Sequence, residues 1–231
     1  KFLANSRFTA SRISRYWGRD SEVVHPPVDV DKFSAQENRG NYYLSVCRLV
    51  PNKRVDLVVK AFNQMELPLI VAGKGPEKKY LEAIAGPTVK VLGFASLEKI
   101  KNLMESCRAY VYAGVEDFGI APVEAMASGA PVIALGKGGL LDTVKCASKC
   151  NLSSATGVLF PSQRVSSIVD AVNWFEDFEL WKKLDPESLH MWANNFSSES
   201  FKIRFKEVLQ RAWSAHQDSC DDVASGYFMY K

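Results

Sequence analysis

The sequence has little histidine, only His25, His190 and His216, and no apolar run approaches the length of a membrane span. No signal-peptide pattern opens it either. The histidine shortage removes most zinc-ligand patterns. Cys146 and Cys150 are separated by three residues, yet no second Cys/His pair at zinc spacing accompanies them. Cysteine is sparse as well. Five is an odd number, and Cys47 and Cys107 fall in or beside apolar segments, where a reduced thiol packs as a small hydrophobe. A disulfide framework is therefore not expected, and the compartment reads as reducing. Charge of one sign is scarce: 29 Lys and Arg against 26 Asp and Glu leave a formal +3, so the chain as a whole is not a nucleic-acid or other polyanion binder. A local basic pocket stays open. The chain also lacks an initiator methionine, and Phe2-Leu3-Ala4-Asn5-Ser6 reads as the end of a strand entering a helix cap, so it is expected to be part of something longer.

What is present is a chain of 231 residues, 47% apolar, long enough to bury a core. Short β-rich runs alternate with helical ones, which predicts an α/β fold with a doubly wound, Rossmann-like parallel sheet. The expected strands are Tyr42 to Cys47, Leu69 to Ala72, Val89 to Leu92, Ala109 to Tyr112, Val132 to Leu135 and Gly157 to Phe160. Helices are expected to start near Lys53, Pro76, Ser96, Pro122 and Val165, with Pro122 placed where a first-turn proline loses no hydrogen bond. Before the sheet, Ser6 to Tyr16 reads as a helix and Glu22 to Val24 as a short strand. After it, Ser162 to Phe175 and Phe201 to His216 read as amphipathic helices, with tryptophans at 174, 181, 192 and 213. Such an aromatic stripe belongs either to the core or to a face for a partner domain. The expected organisation is one domain over 1–217, with its core about 20–175, C-terminal helices about 176–217, and a flexible tail over 218–231.

The chemistry concentrates after the strand Ala109 to Tyr112. There Glu116-Asp117-Phe118-Gly119-Ile120-Ala121-Pro122-Val123-Glu124 places two carboxylates on either side of a glycine turn at the carboxyl edge of the sheet, where ligands bind in such folds. The amides of Gly119, Ile120 and Ala121 at the helix start favour phosphate. Glu124, placed in the first helical turn, suits the paired hydroxyls of a ribose, and Glu116 suits a sugar ring. The alternative is that both are helix N-terminal acids that interact with the dipole. Arg48 and Lys53, after the first sheet strand, would neutralise a diphosphate leaving group without a metal ion, or else belong to a solvated loop. Gly73 and Gly75 form only G-x-G, read as a tight turn that lets a flat base approach the backbone, with Gly93 and Phe94 bordering the same base. Gly136-Lys137-Gly138-Gly139 reads as close backbone approach or a flexible turn, and the D-x-D at Asp29 to Asp31 as an accident.

These residues together resemble the C-terminal, donor-binding domain of glycosyltransferase family four, retaining enzymes with the two-domain GT-B fold, over Asn5 to about Phe175. The most specific part is the two-glutamate segment running on into Ala125-Met126-Ala127-Ser128-Gly129-Ala130-Pro131-Val132-Ile133-Ala134. Arg48 to Lys53, Gly-x-Gly-Pro, Leu92-Gly93-Phe94, Gly138-Gly139 and Thr156 to Phe160 follow in the family's order, with Asp142 where the family often has a glutamate. The resemblance implies that Arg48 and Lys53 hold the donor diphosphate, that Glu124 binds ribose and that Glu116 contacts the transferred sugar. It implies metal-independent transfer of a hexose from a nucleotide diphosphate sugar, with a leaning to GDP-mannose. It further implies a glycan or lipid-linked acceptor bound by an N-terminal domain outside this chain, and no cofactor. The expected location is cytoplasmic, with at most peripheral attachment at the inner membrane face. A nucleotide-sugar 2-epimerase and a non-catalytic nucleotide-sugar-binding module are the competing classes.

Overall fold

The computed structural model describes residues 1–148 and 150–227, the side chains of 218–227 excepted. It opens with β1 (Phe2–Ala4), α1 (Arg7–Trp17) and β2 (Ser21–Val23), a small parallel pair joined by one helix. The main body follows as β3 (Tyr43–Val46), α2 (Val55–Met65), β4 (Leu69–Ala72), α3 (Lys78–Ile84), β5 (Val89–Gly93), α4 (Leu97–Ser106) and β6 (Ala109–Tyr112). It continues with α5 (Ile120–Ala127), β7 (Val132–Leu135), α6 (Leu140–Thr143), β8 (Gly157–Phe160) and α7 (Val165–Asp177). Three more helices close the chain: α8 (Leu180–Lys183), α9 (Pro186–Ala193) and α10 (Ser198–Tyr227).

The six main strands lie in the order β5-β4-β3-β6-β7-β8, every neighbouring pair parallel. Strands buried on both faces read as continuous apolar runs, and β6 (AYVY) and β7 (VIAL) are buried at every position. The strand order reverses direction between β3 and β6. The loops leaving the carboxyl ends of these two strands therefore diverge to opposite sides and open a crevice between them, the standard ligand position in open α/β sheets.

The other end of the sheet is tied down. Tyr43 packs against Phe62 and Phe175 at centroid distances of 4.9 and 6.2 Å, and its hydroxyl donates to Glu176 on α7. Arg108 donates to both oxygens of the same carboxylate at 3.0 Å and lies over the Trp181 ring.

Several boundaries differ from the sequence expectation. Helix α5 begins at Ile120, two residues before the proline taken as its marker, because a third-position proline also has no amide to lose. Glu124 thus falls in the second turn, not the first, and no acidic residue occupies the first turn. Helix α10 starts at Ser198 and runs on to Tyr227, well past His216 and through most of the expected flexible tail; residues 228–231 lie outside the described residues. Of the tryptophans read as a stripe, 174, 181 and 192 pack against the core, whereas Trp213 is exposed.

A second apolar surface faces outward at the start of the chain. Phe2, Leu3, Tyr16 and Trp17 are exposed, and Leu3 borders a small apolar cavity with Phe205, Val208 and Leu209 of α10. No residue of α1 is buried.

Candidate functional site

A cleft of about 590 Å³ lies at the β3/β6 reversal, lined by Val46, Cys47, Arg48 and Lys53 on one side and by Tyr110, Tyr112 and the Glu116 to Pro122 loop on the other. Asn5 and Pro26 complete its rim. Arg48 and Lys53 therefore meet the bare start of α5 across one crevice. Gly119 takes φ +96° at the helix entrance, and no side chain caps the amides that follow. A side chain at Gly119 would be strained at this φ and would press its Cβ to 2.6 Å from Leu140.

The two cations differ in their partners. Arg48 is exposed, and its guanidinium has no ion-pair partner among the described residues. Lys53 Nζ donates to Glu116 Oε1, and the Tyr112 hydroxyl donates to the same oxygen. Burial, reinforced by Glu116, holds the Tyr112 phenol far above its usual range, so it acts as a donor. On the same strand the Tyr110 hydroxyl donates to the Val46 carbonyl at 2.6 Å and fixes the end of β3. Sequence reasoning missed both tyrosines. The signal available was a polar-tipped ring recurring at positions 110 and 112 of an otherwise apolar strand.

Cys47 also lines the cleft. Burial pushes its thiol up to about 12, against a lowering from Lys53, so it stays protonated and is not a nucleophile near neutral pH.

Glu116 bridges to Gly138, and the Gly139 amide donates to the Glu116 carbonyl at 2.8 Å. A Cβ on Gly138 would come within 2.4 Å of that carbonyl oxygen, and one on Gly139 within 2.3 Å of the Asp117 carbonyl oxygen. The glycine pair is thus a backbone-to-backbone seat for the 116–118 loop.

Gly73 and Gly75 do the same for the loop that carries Arg48. A Cβ at these positions would meet the Cys47 and Leu49 carbonyl oxygens at 1.8 and 2.1 Å. Their open side is filled by protein backbone, and neither lines the cleft. Gly93 (φ +71°) sits under the Lys78 side chain, and Phe94 is exposed with Lys74 Nζ 3.9 Å from its ring centre. Glu124 stands outside the cleft lining as well. Burial and then Asp29 raise its carboxyl above the usual range, with Lys32 pulling it back. Asp29 of the D-x-D stretch pairs with Lys32.

Asp142 is engaged by residues of the N-terminal unit. It accepts from the Arg7 amide and the Arg7 side chain, each at 2.8 Å, and lies 3.2 Å from His25 Nε2. His25 in turn packs on Phe118, and Arg12 pairs with Asp117 at 2.9 Å, so α1 is clamped against the loop that carries Glu116.

Among known structures, the same parallel six-stranded sheet with flanking helices occurs in GT-B glycosyltransferases. Anabaena HepE in complex with UDP and glucose superposes with a TM-score of 0.75 at 20% identity, over 90% of this chain and 62% of that one. A sucrose-phosphate synthase from Thermosynechococcus elongatus superposes with a TM-score of 0.76 at 18% identity, over 92% of this chain and 58% of that one. The match of residues 29–196 to the model of glycosyl transferases group 1 makes the chain a member of that family. An alpha-1,3/1,6-mannosyltransferase of Saccharomyces cerevisiae is 30% identical along an alignment that covers 69% of this chain and 43% of that protein. A GDP-mannose-dependent alpha-(1-6)-phosphatidylinositol monomannoside mannosyltransferase of Mycolicibacterium smegmatis is 29% identical along an alignment that covers 72% of this chain and 50% of the relative. The chain thus spans about half the length of these relatives.

Proposed function

We propose that this chain is the donor-binding domain of a retaining glycosyltransferase, organised as one domain over 1–217, and that the whole enzyme moves a hexose from a nucleotide diphosphate sugar to an acceptor hydroxyl. The observation that carries the reading is the meeting of Arg48, Lys53 and the uncapped start of α5 in one crevice at the β3/β6 reversal. A diphosphate laid there receives a planar guanidinium fork, an ammonium and helix-start amides. Together they supply the counter-charge that a leaving diphosphate needs, which supports departure without a metal ion. Glu116, on the opposite wall, accepts from hydroxyls of the transferred ring, and Glu124 accepts from the ribose.

In this reaction the bond from the anomeric carbon to the diphosphate oxygen breaks, and a bond to the acceptor oxygen forms on the same face. The acceptor proton leaves with the diphosphate. The acceptor is a glycan or a lipid-linked glycan, held by a further domain that packs on the exposed apolar surface of Phe2, Leu3, Tyr16 and Trp17. Two likenesses favour GDP-mannose as donor: the named mannosyltransferase relatives and the stretch Asp117-Phe118-Gly119-Ile120-Ala121-Pro122-Val123-Glu124.

The test is transfer of labelled sugar by the full-length protein offered GDP- and UDP-hexoses with glycan acceptors, beside calorimetry of GDP and UDP on the present chain. The expected result is nucleotide uptake by the chain, GDP ahead of UDP, and transfer only by the full-length protein, since the reacting atoms must be positioned from both sides. Epimerised nucleotide sugar would support the 2-epimerase class instead. Uptake of neither nucleotide would end the donor reading.

A further inference from the structure

Lys53 and Glu116 form an ion pair across the cleft, with side chains 18% and 24% exposed, and Tyr112 shares the carboxylate oxygen that takes the ammonium. Arg48 is open to phosphate outright, whereas Lys53 reaches it only in competition with Glu116. This asymmetry has a chemical consequence that depends on the ligand.

We propose that Glu116 biases the cleft toward a nucleotide diphosphate sugar and against the bare nucleoside diphosphate, by contesting Lys53 with the terminal phosphate, and that Tyr112 is the positioning residue that keeps the carboxylate in place while Lys53 changes partner. The proposal rests on the donor reading above and concerns which form of the ligand that site prefers. A bare diphosphate ends in a free phosphate oxygen that carries additional negative charge. Beside Glu116 that charge is repelled, and it can draw in Lys53 only by stripping the carboxylate of its counter-ion. In the sugar conjugate the same oxygen is esterified, and ring hydroxyls donate to Glu116 in place of the departing ammonium. The product of transfer is thereby held less firmly, relative to the donor, than the cations alone would hold it.

Tyr112 is built for the holding role. Its ring is buried and stacked 6.5 Å from Tyr110, whose own hydroxyl is anchored on Val46. Gly114 leaves the phenol oxygen its place, since a Cβ there would lie 2.6 Å from it. The Tyr112 bond to Glu116 therefore does not depend on Lys53.

The experiment is calorimetry of GDP, UDP, GDP-mannose and UDP-glucose on the chain and on Glu116→Gln, Glu116→Ala, Tyr112→Phe and Lys53→Met, each melted first to establish that it folds. Glu116→Gln is expected to bind the preferred bare diphosphate about tenfold tighter and its sugar conjugate no tighter, with Glu116→Ala moving in the same direction. Lys53→Met should weaken both ligands. Tyr112→Phe should weaken the conjugate several-fold and leave the bare diphosphate unchanged or tighter, a split that a general loss of stability does not produce. Bare-diphosphate affinity that is unchanged or reduced in both Glu116 variants overturns the proposal and leaves the donor reading standing. A chain that takes up none of the four ligands overturns both.

Discussion

At the scale of the residue, Glu124 sets a cost in stability against the ribose contact proposed for it. Burial and Asp29 raise its folded pKa above the ordinary value of 4.5. For an acid shifted upward, the favourable contribution is complete below the unfolded pKa and is lost as pH rises through the folded one. At neutral pH the ionised side chain therefore costs stability. Replacing it by the isosteric amide, Glu124→Gln, is expected to raise Tm by about 2 °C at pH 7.5. The same change is expected to weaken nucleotide binding on the order of tenfold, because an amide offers a ribose a weaker acceptor. Scanning calorimetry and nucleotide titration read the two effects separately; a lower Tm with unchanged binding would return Glu124 to a structural role. Its neighbour in the motif was also only half legible. The spacing around Gly119 places Glu116 in the loop and Glu124 in the helix that follows, as the structure has them. That Glu116 is engaged by Lys53 and Tyr112 could not be read from that spacing, because the three residues come from two loops and a strand end that only the sheet brings together.

At the scale of the element, the N-terminal helix is held by polar ties. Helix α1 buries no residue of its own, so little apolar packing secures it. Beside the exposed Arg12–Asp117 pair, its attachment runs through Asp142, whose side chain is 3% exposed. Burial raises that carboxyl, but the Arg7 amide, the Arg7 side chain and His25 outweigh it and hold the pKa below the ordinary 3.8. For an acid shifted downward, the stabilisation is present above the unfolded pKa and disappears as pH falls through the folded one. Asp142→Asn is expected to cost about 1.5 kcal/mol at pH 7, with the gap to the parent chain closing as pH falls below the ordinary carboxyl value of 3.8 and on through the lowered one. Chemical denaturation across this pH range, followed by tryptophan fluorescence, measures it. A gap that stays constant down to pH 2 would show that charge is not what Asp142 contributes.

The glycines also act at this scale. Their spacing reads as close backbone approach, and in the structure another strand's loop packs against each pair. Gly73 and Gly75 meet the turn after β3, and Gly138 and Gly139 meet the turn after β6. A sequence shows that a side chain is missing. It does not show which neighbour fills the space.

At the scale of the whole molecule, the sheet separates stability from chemistry. The carboxyl edge carries Arg48, Lys53, Glu116 and the start of α5, while the opposite end is locked by Glu176, Tyr43 and Arg108. Glu176→Ala leaves the buried Tyr43 hydroxyl and the half-buried Arg108 without their shared acceptor. A loss of about 2 kcal/mol is expected. In a domain of this size that lowers Tm by about 5 °C, with nucleotide affinity unchanged within twofold. A parallel fall in affinity, measured well below the new Tm, would mean that the two edges are coupled.

The sequence by itself determined most of the strands, since short runs such as AYVY and VIAL, apolar but for the tyrosine hydroxyls and bounded by turn residues, suit a sheet covered on both faces. It also determined the glycine turn between Glu116 and Glu124 and the family, because both are written in short motifs whose residues are contiguous or follow in a fixed order. The tertiary structure alone decided which strand lies beside which, and hence that the loop after β3 opposes the loop after β6. The pairing of Lys53 with Glu116 and the anchoring of α1 on Asp142 followed from that placement. Both join residues more than sixty positions apart, and local propensity acts over only a few residues.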